Sequence, residues 1–445
     1  MTAMQTVDLR IDAPWIVPVE PAGVLAGHAI LVDAGAIVAI VPSAVAAASF
    51  AARETRVLGS HVLIPGLVNA HTHTTMALMR GIADDVPLKP WLEHHIWPCE
   101  GRFVSPEFVY DGTLLGSAEM LQGGVTCCND MYFYPDAAAR AYEDAGLRAL
   151  VGMPVLDFPT PYAADADDYL AKGLAARDAF KHAEKLAFAL APHAPYTVSD
   201  ATWAKIVMFA RQVDLPIQTH LAETRDEVAS ERASSGGSSL MRLNRLGATG
   251  PSFIAIHAVH VDAADIAALA AQGCHVVHCP TSNMKLASGI APVGALLAAG
   301  VNVALGTDGA ASNNRLDVFS EMRLASLLAK VATGDAAEVP AAVALRMATL
   351  NGARALGMDD RIGSLVPGKQ ADMVAVDLSG IATQPVFDPL SHLVFAAGRD
   401  CVTDVWIGGV RMVADRRLTT IDQAALLART RAWQHKLAAQ HLPTR

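Results

Sequence analysis

Cysteine is scarce in this chain. Six stand in 445 residues, at Cys99, Cys127, Cys128, Cys274, Cys279 and Cys401, and no Cys-x-x-Cys occurs. A disulfide framework is therefore excluded, and the thiols read as buried and reduced. Pro98-Cys99 lacks a following second cysteine, which excludes the HxE/PCxxC zinc site of the cytidine-deaminase type. Charge is also sparse, at 18 % of residues, with 34 basic against 44 acidic side chains and a net charge of -10. No Lys/Arg block interrupts the sequence, so the basic footprint of a nucleic-acid binder is missing. Long apolar runs are absent as well. The alanine-rich Val41 to Ala52 is too short to span a bilayer. Met1 to Pro21 shows no basic segment followed by an apolar one, so no secretory leader is expected and the cytoplasm is the expected location. Gly123-Gly124 and Gly236-Gly237 lack the strand-GxGxxG-helix setting of a dinucleotide site.

What is present is apolar surface, at 52 % of residues, enough to bury a large core. The length exceeds one ordinary domain and suggests a barrel with a smaller companion. Up to about residue 62 the chain reads as short strands punctuated by Gly and Pro, such as Ala29 to Asp33 and Ile37 to Ile40. Short apolar runs then alternate with helical stretches, the rhythm of parallel βα units. Eight runs are counted: Val62 to Asn69, Val125 to Asp130, Leu147 to Pro154, Leu186 to His193, Pro216 to His220, Phe253 to His257, His275 to His278 and Val301 to Asp308. The expected fold class is α/β, a (β/α)8 TIM-type barrel over 63–358. A small β-sandwich built from both chain ends (1–62 and 359–421) and a C-terminal helix (422–445) complete it. Met373 to Val376, Val402 to Ile407 and Val410 to Val413 are the returning strands.

The strongest local signal is Asn69-Ala70-His71-Thr72-His73 after an apolar run. Residues i and i+2 of a strand leave on one side, so two imidazoles can share a metal. Alone, the pair is weak. Other strand ends strengthen it: His193 closes the fourth run, His220 the fifth, His257 the sixth and Asp308 the eighth. Barrel active sites form at the C-terminal ends of the strands, and four further strands ending in metal-capable or acid/base residues are hard to explain by packing. Asp130, ending the second run, reads as a loop-capping carboxylate.

These motifs together resemble the amidohydrolase superfamily, and within it the 5'-methylthioadenosine/S-adenosylhomocysteine deaminases and their chlorohydrolase relatives. The resemblance spans Pro65 to His73, Leu78 to Gly81, His220 to Glu223, Ser282 to Leu286, Gly306 to Asn314 and Pro367 to Asp372. It implies that His71, His73, His220 and Asp308 bind one zinc ion per chain, with iron as the alternative. No lysine closes the fourth strand, so a binuclear centre is not expected. The resemblance further implies that Asp308 accepts a proton from an activated water. Glu223 would donate to ring N1 and His257 would orient the attacking hydroxide. Glu100 would bind the ribose hydroxyls, His193 the purine or ribose, and Trp91 would wall the 5' substituent, its alternative being a buried anchor. The implied partner is a small nucleoside, without nucleic acid or membrane, and the implied assembly is a homo-oligomer.

The implied reaction is deamination at C6 of an adenine nucleoside. Guanine deamination or triazine hydrolysis on the same fold is the rival, as is a non-catalytic assembly protein, which would be expected to lose metal ligands. Among nucleosides, 5'-methylthioadenosine is expected over S-adenosylhomocysteine. Family members that take the latter place arginines at the end of strand three and beyond, whereas no arginine lies between Arg148 and Arg177 here. Met153 and Trp91 are expected to receive the thioether methyl.

Overall fold

The computed structural model describes residues 4–441. Eight parallel strands follow one another in chain order: Leu67–Thr72, Val125–Met131, Arg148–Val155, Leu186–Pro192, Ile217–Leu221, Phe253–His257, His275–His278 and Asn302–Leu305. They are the first to eighth barrel strands below. One apolar cluster draws Val68, Cys127, Leu150, Ala189, Ile254, Val277 and Ala304 from seven of these strands, which only lumen-facing positions permit, and Met358 and Ile362 join it from the segment after the barrel. The lumen is thus a packed core, as expected of an eight-stranded barrel. The eighth strand meets the first through polar contacts. The Asp308 N–H donates to the His71 carbonyl (3.0 Å). The Asn69 side chain both donates to Thr307 Oγ1 (2.8 Å) and accepts from the Thr307 N–H (2.9 Å).

The chain ends build a second, mixed sheet of nine strands. Gln5–Ile16 pairs antiparallel with Leu25–Asp33 and parallel with Phe50–Val57, then His61–Pro65. His61–Pro65 pairs antiparallel with Met373–Asp377, which joins the N-terminal strands to Val402–Ile407, Val410–Ala414 and Arg417–Leu418. Ile11, Ile30, Leu63, Met373 and Trp406 form part of the core it encloses. The alanine-rich Val41 to Ala52 is a strand end, the helix Ser43–Ser49 and the start of Phe50–Val57. No helix among the described residues is long and apolar enough to cross a membrane. The last helix runs Gln423–His441, so 442–445 of the expected C-terminal helix lie outside the described residues, as do residues 1–3.

One expected strand is two. Val62 to Asn69 divides at Gly66: His61–Pro65 belongs to the mixed sheet and Leu67–Thr72 to the barrel. A Cβ on Gly66 would lie 1.9 Å from Thr126 Oγ1, so only glycine fits where the chain changes sheets. Asp372, which ends the Pro367 to Asp372 motif, holds this junction. Its carbonyl accepts the Gly66 N–H (2.9 Å), and its carboxylate takes the Arg148 guanidinium (3.2 and 3.3 Å) and the Gly408 N–H (2.7 Å).

Candidate active site

The strand ends converge as the sequence suggests. His71, His73, His220 and Asp308 bring one ligand atom each to within 4.8 Å of one another. Hydrogen bonds behind the rings decide which nitrogens face inward. His73 Nδ1 donates to the Met131 carbonyl (2.5 Å) and His220 Nδ1 to the His193 carbonyl (2.7 Å), leaving both Nε2 lone pairs for the centre. His71 is fully buried; its Nδ1 has no hydrogen-bond partner and its Nε2 meets only the Asp308 carboxylate. Asp308 directs Oδ1 at His71 and His73 Nε2 (3.3 and 3.2 Å), while Ser282 and Ser312 hydroxyls both donate to Oδ2 (2.7 Å each). Buried imidazole nitrogens without partners are costly unless something else satisfies them. Three imidazoles and one fixed carboxylate are the donor set zinc prefers, so the residues fit a mononuclear metal centre.

The backbone around this cluster is strained. Ala222 (φ 51°), His257 (71°), Ala258 (47°) and Asp308 (59°) adopt left-handed conformations without being glycine. Each such residue costs of order 1–3 kcal/mol and persists where surrounding contacts dictate it, most often at functional sites. Here the strands end abruptly and turn their last side chains inward.

Glu223 sits beside the metal ligands, buried, with Oε2 3.7 Å from His257 Nε2 and Oε1 accepting from the Ser288 hydroxyl (3.3 Å). Burial raises its pKa above the usual carboxyl value. His257 Nδ1 donates to Asn283 Oδ1 (2.8 Å), which leaves Nε2 to face the cavity as an acceptor. Glu227 holds this segment from behind: its carboxylate accepts the Ala222 N–H (3.0 Å) and the Glu223 N–H (2.9 Å). Burial, with the nearby Glu223, moves the Glu227 pKa up to about 7.

A cavity of about 250 Å³ opens from the metal ligands to the surface. Its roof is Leu88–Trp91, the π-helical turn Leu92–Ile96 and the helix Trp97–Phe103. Trp91 is buried and lines the cavity beside Leu88 and Ile96. Glu100 is buried and accepts the Tyr132 hydroxyl (2.8 Å); desolvation raises its pKa to about 7. His193 lines the cavity with Nδ1 3.2 Å from Thr197 Oγ1, and burial lowers its pKa to about 4, so the ring is neutral. Each of these expected residues therefore borders one cavity or its metal cluster. Met153 does not: a Cβ on Gly173 would lie 2.8 Å from its own, so its side chain points outward to the helix Ala166–Ala179. Pro154, Leu156 and Phe158 line the cavity instead, and no arginine or lysine does so among the described residues. Asp130 caps the loop after the first strand, accepting the Thr74 N–H (2.9 Å).

Reading the sequence missed Glu227 and Tyr132, and gave no role to Asn283 or to the two serines on Asp308, although these three stand in the motifs that carry the resemblance. Glu227 carried a visible signal, the Thr224-x-x-Glu227 pattern of a helix start. Thr224 does cap that helix (3.3 Å), but the Glu227 side chain reaches Ala222 and Glu223.

A family model described as the amidohydrolase family matches residues 62–412. A 5-methylthioadenosine/S-adenosylhomocysteine deaminase of Teredinibacter turnerae is 44% identical over 441 residues, covering 99% of this chain and 100% of that protein. A 5'-deoxyadenosine deaminase of Methanothermobacter thermautotrophicus is 43% identical over 367 residues, covering 81% of this chain and 84% of the relative. A crystal structure of an adenosine deaminase from Xanthomonas campestris, with bound zinc, matches with a TM-score of 0.97 at 50% identity, covering 98% of this chain and 100% of that one. With the three-histidine, one-aspartate metal site at its barrel mouth and similarity along nearly its whole length, the chain belongs to the amidohydrolase family, in its branch of 5-methylthioadenosine/S-adenosylhomocysteine deaminases.

Proposed function

We propose that the protein hydrolyses the C6 amine of adenine nucleosides, 5'-methylthioadenosine above all, giving the inosine analogue and ammonia. One observation carries this reading: a single cavity joins a four-ligand metal cluster, a carboxyl whose pKa burial raises (Glu223) and a second carboxyl suited to ribose (Glu100). Bound zinc supplies Lewis-acid activation of water near neutral pH. The chain's own residues supply the rest. Asp308, its rotation fixed by two serine hydroxyls on Oδ2, takes the proton of the attacking water as general base. His257 orients that water through its Nε2 lone pair. Glu223 donates its carboxyl proton to purine N1, so that the ring accepts the electron pair as oxygen bonds to C6. The amine takes the proton held by Asp308 and leaves as ammonia, and the hydroxyl proton on C6 passes to Glu223 as the C6 carbonyl forms. Glu100 accepts the ribose hydroxyls, His193 contacts the nucleoside, and Trp91 gives an apolar wall.

A guanine or triazine substrate would leave the buried Glu100 without its ribose partners, which argues for a nucleoside. The complete ligand set argues against a non-catalytic assembly protein. Six cysteines without a disulfide support a reducing, cytoplasmic location. A homo-oligomer is the assembly this reading carries, and sedimentation of the purified protein tests it. The deciding experiment is ammonia release by zinc-replete protein from a panel of adenine nucleosides, guanine and triazines. Turnover confined to guanine or triazines would refute the proposal.

A further inference from the structure

The segment after the seventh barrel strand touches all three groups that handle protons beside the metal ligands. The Ser282 hydroxyl donates to Asp308 Oδ2 (2.7 Å), and Asn283 Oδ1 accepts from His257 Nδ1 (2.8 Å). The third contact lies just beyond the helix Pro280–Lys285, where the Ser288 hydroxyl donates to Glu223 Oε1 (3.3 Å). Among the described residues, this is the one hydrogen bond that the Glu223 carboxyl makes. Ser288 is buried and lies behind that carboxyl, off the cavity wall.

Ser288 is held from both sides. Its N–H donates to the Asn283 carbonyl (2.8 Å), and its carbonyl accepts from His260 Nε2 (2.6 Å). The His260 N–H in turn donates to the carbonyl of Ala222, the residue before Glu223 (2.9 Å). Gly289 continues the turn at φ 132°, where a Cβ would lie 2.9 Å from Val259 Cγ1 and 3.2 Å from His260 Cε1. The serine hydroxyl and the Glu223 carboxyl therefore belong to one hydrogen-bonded frame.

The two oxygens of that carboxyl meet opposite partners. Oε1 faces a donor, Ser288. Oε2 lies 3.7 Å from His257 Nε2, which carries a lone pair because Nδ1 gives its hydrogen to Asn283. A protonated carboxyl keeps its hydrogen on the oxygen that no donor occupies. We propose that Ser288 is a positioning residue for the catalytic acid, holding the transferable proton of Glu223 on Oε2, the oxygen turned towards His257 and the cavity. This inference rests on the deaminase reading above. As the Oε2–H bond breaks and the N1–H bond forms, the electron pair stays on the carboxyl and its charge spreads to Oε1. The Ser288 bond then becomes charge-assisted and about twice as strong. It stabilises the transition state more than the bound substrate, so its effect falls on kcat.

The test is steady-state kinetics and zinc content of the zinc-replete full chain, with 5'-methylthioadenosine as substrate. Ser288→Ala should lower kcat about tenfold, with KM within about twofold of wild type and zinc content unchanged. Ser288→Thr keeps the hydroxyl and should recover most of the loss. In a Glu223→Gln background no charge develops on the side chain, and Ser288→Ala should there cost less than about twofold. A kcat for Ser288→Ala within about twofold of wild type would overturn the positioning role. So would an equal proportional loss in the Glu223→Gln background, or a loss of zinc in step with activity. Wild-type inactivity towards adenine nucleosides would overturn the deaminase reading, and this inference with it.

Discussion

Replacing Glu227 by glutamine tests whether the catalytic acid depends on a carboxylate that never meets substrate. Glu227 accepts two backbone N–H groups, from Ala222 (3.0 Å) and Glu223 (2.9 Å), and Ala222 is held at φ 51°. Glutamine keeps one acceptor oxygen and turns an NH2 group towards the other N–H, so one charge-assisted bond is lost and a donor faces a donor. Such a bond is worth ~1.5–3 kcal/mol. The left-handed Ala222 adds ~1–3 kcal/mol of strain that the two bonds to Glu227 help to offset. If that loss appears as displacement of Glu223 from purine N1, kcat should fall roughly 10- to 150-fold. KM should move little, because Glu100 and His193 lie on other elements. Metal content should stay at the wild-type level, because His220 is fixed separately through the His193 carbonyl. The assay is kcat, KM and zinc content for wild type, Glu227→Gln and Glu227→Ala. A kcat within twofold of wild type at full zinc occupancy would refute the reasoning. So would a loss of zinc in step with activity, which would make Glu227 a support for the metal ligand.

The remaining predictions concern substrate, protons and metal. 5'-Methylthioadenosine should exceed S-adenosylhomocysteine in kcat/KM by roughly tenfold or more, since the latter's carboxylate finds no arginine or lysine on the described cavity wall; equal efficiencies or the reverse order would refute this. Glu100, with its pKa raised to about 7, is ionised above that pH and protonated below it. Nucleoside KM should therefore rise as pH falls through 7, and Glu100→Gln should abolish that rise; a KM independent of pH in the wild type would refute the ribose assignment. Glu223→Gln should lower kcat by ~10²–10⁴-fold at unchanged zinc content, the usual worth of a general acid, and near-normal turnover would remove Glu223 from the proton path. Elemental analysis should find about one zinc per chain, as a four-ligand mononuclear site requires, and His220→Ala should lose most of it; two tightly held metals would contradict the site.

The barrel was readable because fully buried parallel strands appear as continuous apolar runs. Its site was readable because those runs end in His or Asp at the positions that face the barrel mouth. The same continuity hid two things. Val62 to Asn69 reads as one largely apolar run, so Pro65-Gly66 within it is passed over as the point where one sheet ends and another begins. Met153 lies in a strand buried on both faces, so no alternation shows that it turns outward and leaves the wall to Pro154 and Leu156. Tyr132 on Glu100 and Asn283 on His257 depend on contacts between distant segments, which spacing along the chain does not encode.

The pairing of His61–Pro65 with Met373–Asp377 also bears on how the molecule forms. During synthesis the first five strands emerge long before their partner, and the edge at His61–Pro65 stays open until the barrel segment has left the ribosome. Such distant pairing slows folding, and an open edge invites pairing with other chains. The first barrel strand follows Gly66, whose N–H is held by the Asp372 carbonyl, so the strand that bears His71 and leads into His73 is tied at its start to the far end of the chain. Metal capture is therefore expected late in folding: nascent chains stopped before Met373 should bind zinc poorly even though all four ligands have already been made.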